Sequence, residues 1–72
     1  MAIDIRSKEA DKLANLYRAA FYIAKGAEKI GLDLIKKTDE KFPTMDFTSN
    51  EKRMYWAEKV LDRYVILKIH SN

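Results

Sequence analysis

The chain has no cysteine, one histidine, one proline and two glycines among its seventy-two residues. Without cysteine there is no disulfide framework, no thiolate metal site and no thiol nucleophile. The lone imidazole, His70, leaves a His-rich metal centre or a His-based triad without its parts. The scarcity of Gly and Pro removes the turns that a β-sandwich or barrel needs every roughly 8–12 residues. No apolar stretch approaches the roughly 18 residues of a membrane helix. The run from Ala19 to Ala24 is closed by Arg18 on one side and Lys25 on the other. The opening Met1-Ala2-Ile3-Asp4-Ile5-Arg6 carries an early charge, so no signal peptide is expected and the cytoplasm is the expected location. Gly-rich phosphate loops, nucleotide-binding fingerprints and metalloprotease motifs are missing as well.

What remains is a composition that folds. Apolar residues make up 47% of the chain and charged ones 35%, which predicts a single helical domain over residues 1–72. The formal net charge of +3 is compatible with an acidic partner without requiring one.

Periodicity supplies the architecture. Leu13, Leu16, Ala20, Ile23, Ala27, Ile30 and Leu34 recur at alternating steps of three and four, the seam of a heptad-patterned helix. A helix over about 7–41 is predicted, with Ser7 as N-cap and Glu9 and Asp11 near the positive end of its dipole. The heptad phase runs through Gly26 unshifted, which favours a continuous helix over a break there. Gly26 and Gly31, beside Ala19, Ala20, Ala24 and Ala27, suggest close approach of another helix, or a kink near 26.

Pro43 interrupts this pattern and disfavours helix at Phe42. Thr48-Ser49-Asn50-Glu51 then reads as a capping box, so a second helix over about 48–68 is predicted. The two form an antiparallel hairpin joined by a short connection. On the second helix Met54, Trp56, Ala57, Val60, Leu61, Tyr64, Val65 and Leu67 fill an arc of roughly 180°. One neighbouring helix does not cover so wide a face. A homodimer forming a four-helix bundle is the simplest solution, with Trp56, Val60, Leu61 and Tyr64 joining the heptad seam in self-association. The alternation of Ile3 and Ile5 with Asp4 and Arg6 makes a short extended segment at 2–6 conceivable.

Charge offers the remaining candidates. Arg18, Tyr22, Lys25, Lys29 and Lys36 fall within an arc of roughly 60° on a continuous helix, a basic stripe with an interleaved aromatic that suits a phosphate backbone. The competing reading is an ordinary solvated face. On the second helix Glu51, Glu58 and Asp62 form one strip and Lys52, Lys59, Arg63 and His70 the adjacent one, a segregation that sets pairing between helices. Glu58 and Asp62 stand one turn apart, but a di-metal bundle also needs Glu-x-x-His, which this chain lacks.

Three short stretches resemble parts of known families. Arg63 and His70 on one helix face resemble the motif of the HEPN ribonucleases, which implies His70 acting on a 2′-hydroxyl and Arg63 on the scissile phosphate; Tyr64 stands where that motif has a polar residue. Lys41-Phe42-Pro43 followed by Phe47-Thr48 resembles the hinge of four-helix-bundle proteins of the ribosomal-intervening-sequence and retroelement-accessory types, which implies an oligomer that binds RNA. Met1 to Arg6 with Glu9 to Ala14 resembles the opening of some ribbon-helix-helix antitoxins. That resemblance implies Ala2, Asp4 and Arg6 facing DNA bases, and a turn near residue 20.

The expectation drawn from the residues is a small non-catalytic assembly or adaptor protein that binds a partner protein and pairs with itself. Nucleic-acid binding, through the basic stripe or the N-terminal segment, is the alternative. No cofactor, metal, small-molecule substrate or membrane association is expected.

Overall fold

The structure, a computed structural model, describes residues 5–70, with side chains from residue 10 onward. It is all-helical. The chain runs α1 (Ile5–Lys25), α2 (Glu28–Lys36) and α3 (Asn50–His70). α1 packs against both other helices.

The expected continuous first helix is divided, and Gly26 is the reason. Its φ is +97°, a left-handed value that L side chains rarely adopt. The amide of Gly26 donates to the carbonyl of Ile23 at 3.0 Å, and the amide of Ala27 donates to that of Tyr22 at 2.8 Å. These are the paired bonds of a Schellman motif, which ends a helix by satisfying its last carbonyls. The heptad pattern could not reveal this, because a glycine is compatible with a helix interior at a cost of about 1 kcal/mol and favoured at a C-terminus.

After the turn, α2 runs back along α1. Its Gly31 lies so close that a β-carbon there would stand 2.6 Å from Cγ1 of Ile23 and 3.0 Å from the carbonyl oxygen of Ala19. The buried residues of α2 are Gly31 and Ile35, whereas seam residue Ile30 is exposed. The break has rotated the inward face by one position.

Threonine closes α2. The Thr38 hydroxyl donates to the carbonyl of Ile35 at 2.6 Å and accepts from the amide of Glu40 at 3.2 Å. At 1% exposure it is a buried polar group with both roles of its hydroxyl filled. Asp39 follows with φ 64°, a conformation that Asp tolerates better than most residues.

The connection is therefore longer than expected, running from the end of α2 to Ser49. It crosses back toward α3 and lays Phe42, Met45 and Phe47 against the core. The cap of α3 also sits one residue later than the expected Thr48. The Ser49 hydroxyl accepts from the amide of Lys52 at 3.1 Å, while the Thr48 amide donates to the carboxylate of Asp46 at 2.9 Å. Asp46 also accepts from Lys52 Nζ at 2.9 Å. The bonds from Lys52 and Thr48 hold its carboxyl down at a pKa of about 2.

The core joins Leu16, Ala19, Ala20 and Ile23 of α1 to Ile35 of α2 and to Ala57 and Val60 of α3. At the N-terminus, Ile5 and Arg6 belong to α1, so the expected extended segment is not found at those positions; residues 2–4 lie outside the described residues. Ser7 and Glu9 fall inside α1 rather than at its cap. No turn occurs near residue 20, which the antitoxin resemblance required.

Candidate functional site

Among the described residues α3 has one helical neighbour, α1; α2 lies elsewhere on α1. The face that α1 and α3 share therefore has no third helix over it. Its floor is made of small residues, Ala20 and Ala24 of α1 and Ala57 of α3, and its walls are Tyr17, Phe21, Met54 and Leu61. Small residues between large ones leave a groove of about 370 Å³. Tyr17 is 55% exposed, Phe21 52%, Met54 51% and Leu61 39%, so this is a continuous apolar surface in contact with solvent.

The aromatic groups on this face are held in place. The rings of Tyr17 and Tyr64 meet across α1 and α3 with centroids 5.4 Å apart. Lys25 Nζ stands 4.9 Å from the centroid of Phe21. That contact covers one ring face with an aliphatic stem and a cation.

The residues expected to mediate self-association divide into three groups. Leu16, Ala20, Ile23 and Val60 are buried within the single chain. Leu13, Leu34, Trp56 and Tyr64 are half-buried, as is Ala27 in the turn after α1. Ile30 and Leu61 are exposed, but only Leu61 lines the groove.

Tyr17 and Phe21 are not on the expected seam. A signal for them existed: Ala10, Ala14, Tyr17, Phe21 and Ala24 repeat at steps of four and three, a second stripe beside the first. Two adjacent stripes on one helix call for two partners.

The basic stripe does not survive as one arc. Arg18, Tyr22 and Lys25 lie on α1, Lys29 and Lys36 on α2, and the turn at Gly26 reverses the chain between the two sets. The four basic residues are exposed and Tyr22 is half-buried.

Arg63 has a structural partner. Its Nε donates to Glu40 Oε1 at 2.6 Å, while Lys12 Nζ donates to Oε2 of the same carboxylate at 3.2 Å. Glu40 thus ties the loop to α1 and α3 together, with its side chain 13% exposed. Burial raises its carboxyl pKa, but the hydrogen bonds and charges of Arg63 and Lys12 outweigh this and hold it below the ordinary value. His70, the other half of the ribonuclease-like pair, is exposed at the last position of α3.

Among the described residues, no three His, Cys, Asp or Glu side chains are grouped to hold a metal ion. No helix of the described chain is long and apolar enough to cross a membrane. No protein-family model, curated protein or solved structure matches this chain.

Proposed function

We propose that this chain is a small, non-catalytic helical assembly protein whose α1–α3 face binds a partner protein. The carrying observation is the groove itself, with Tyr17, Phe21, Met54 and Leu61 exposed in a row over an alanine floor. Contiguous apolar surface of this kind marks interaction sites, and aromatic and Met side chains are enriched at their centres. Partner protein is favoured over nucleic acid because the cations are divided between two helices and the apolar groups are gathered on one face.

The test is photo-crosslinking from position 21, with position 37 as a control on the exposed end of α2. Protein adducts from position 21 that persist at high salt, and none from position 37, are expected. Salt-sensitive adducts to nucleic acid, or no adduct from position 21, would overturn this reading.

A further inference from the structure

The α1–α3 groove is bordered by edges of opposite charge. At 100° per residue, Arg18 and Lys25 lie on the side of α1 beyond Tyr17 and Phe21, away from α3. By the same geometry Glu51, Glu58 and Asp62 lie on the outer side of α3, beyond Met54 and Leu61. All five are exposed, and Glu58 reaches the groove wall. Between Arg18 and Lys25 the α1 edge of the apolar face is thus basic, with Asp11 on the same edge nearer the N-terminus, and the α3 edge is acidic.

The levels of these charges correspond. α1 and α3 run antiparallel, with Tyr17 beside Tyr64. At the other end Arg53 Nη1 stands 3.7 Å from where a β-carbon of Gly26 would be. Arg18 is therefore level with Asp62 along the helix axis, and Lys25 is level with the turn between Glu51 and Glu58.

We propose that the occupant of the groove is the same groove of a second copy, related by a two-fold axis parallel to the helices. That arrangement lays α1 of each copy along α3 of the other. Arg18 then faces Asp62 of the second copy, and Lys25 faces its Glu51 and Glu58. A two-fold axis perpendicular to the helices would instead set the basic edge against itself and the acidic edge against itself. Charge therefore selects one symmetric packing over the other. The product is a four-helix bundle with an up-down arrangement, α2 lying outside it on each α1.

This inference rests on the reading of the α1–α3 face as a protein-docking surface, and the experiment separates the two. Sedimentation equilibrium of the full chain at micromolar concentrations is expected to report a dimer. Arg18→Glu with Lys25→Glu makes both edges acidic, and Glu58→Lys with Asp62→Lys makes both basic. Each variant alone should dissociate at least about tenfold more readily, and an equimolar mixture should form a heterodimer. Circular dichroism checks that each remains helical. Phe21→Gln, which removes an exposed ring and leaves the core intact, is a second route to weaker association. A monomeric wild type, or charge variants that dimerise as the wild type does without preferring each other, overturns the proposal. If crosslinks from position 21 then reach a different protein, the docking reading stands without the dimer; if they reach none, both fall.

Discussion

A β-carbon at position 31 would collide with Cγ1 of Ile23 and the carbonyl oxygen of Ala19, at 2.6 and 3.0 Å. Neither atom is the free end of a flexible side chain, so α2 must move away from α1 to admit it. Gly31→Ala is therefore expected to destabilise the fold by about 1–3 kcal/mol, although helix propensity alone would favour alanine by about 1 kcal/mol. Gly26 fails for a different reason. Its surroundings are open enough, with the nearest atoms belonging to Arg53 at 3.7 and 3.9 Å, but φ of +97° strains any L side chain. Gly26→Ala should cost about 1–2 kcal/mol, and Gly26→Asn less, since Asn tolerates this conformation. Urea unfolding distinguishes these cases.

Glu40 carries the pH dependence at this scale. Its pKa in the folded chain is lowered by Arg63 and Lys12, whose hydrogen bonds and charges outweigh the upward push of burial. A carboxylate of this kind binds its proton less readily when folded than when unfolded. The stability it contributes is thus present above the ordinary value of 4.5 and is lost as pH falls through the folded value. Glu40→Gln should reduce stability at neutral pH by about 1 kcal/mol, because both cations are partly solvated. It should also flatten the fall in melting temperature on acidification below pH 4.5.

At the scale of elements, the ends of the helices decide the architecture more than their middles. α1 stops because Gly26 and Ala27 cap its last carbonyls, and that stop lets α2 fold back to bury Gly31 and Ile35. Arg53 reaches the same end of α1 from α3, where a cation complements the helix dipole. α3 begins at the cap residue Ser49, whose hydroxyl accepts from the amide of Lys52, while Asp46 holds the amide of Thr48 just ahead of it. Ser49→Ala should lower stability by about 1 kcal/mol, whereas Thr48→Ala should change it less, since the Thr48 hydroxyl meets the side chains of Asp46 and Lys52 at an exposed position rather than a helix amide. Chemical denaturation of the two variants side by side gives the order.

At the scale of the whole molecule, the small core leaves much apolar surface in water. Among the described residues Leu16, Ile23 and Val60 are the large apolar side chains fully buried, against exposed Tyr17, Phe21, Met54, Tyr55, Leu61, Val65 and Ile66. If the proposed dimer covers the α1–α3 face, folding and association are linked by mass action. The melting temperature should then rise with protein concentration in the wild type, and in the variant with Arg18 and Lys25 both replaced by Glu the rise should begin only at higher concentration. Calorimetry across a range of concentrations reads this directly.

The helical class, the inward positions Leu16, Ala20 and Ile23, and the α3 positions Ala57 and Val60 follow from periodicity, because side chains three and four apart must share a helix face. A non-helical connection around Pro43 and a helix beginning near residue 49 were also legible, from Pro43 and the Thr48-Ser49 capping signal, but the expected helix end near residue 41 was not, because α2 already ends at Lys36. Tertiary structure alone decided whether Gly26 continued a helix or ended one. Both states satisfy the local sequence, and what separates them is whether the following segment finds a surface to bury against. It does, because Gly31 permits α2 to approach Ala19 and Ile23. That choice exposed Ile30 in place of Gly31 and divided the row of cations. It also sent α2 to one side of α1, leaving Tyr17 and Phe21 on the uncovered face beside Met54 and Leu61. Heptad spacing lists which residues share a stripe, but which stripe another helix covers depends on where the chain turns.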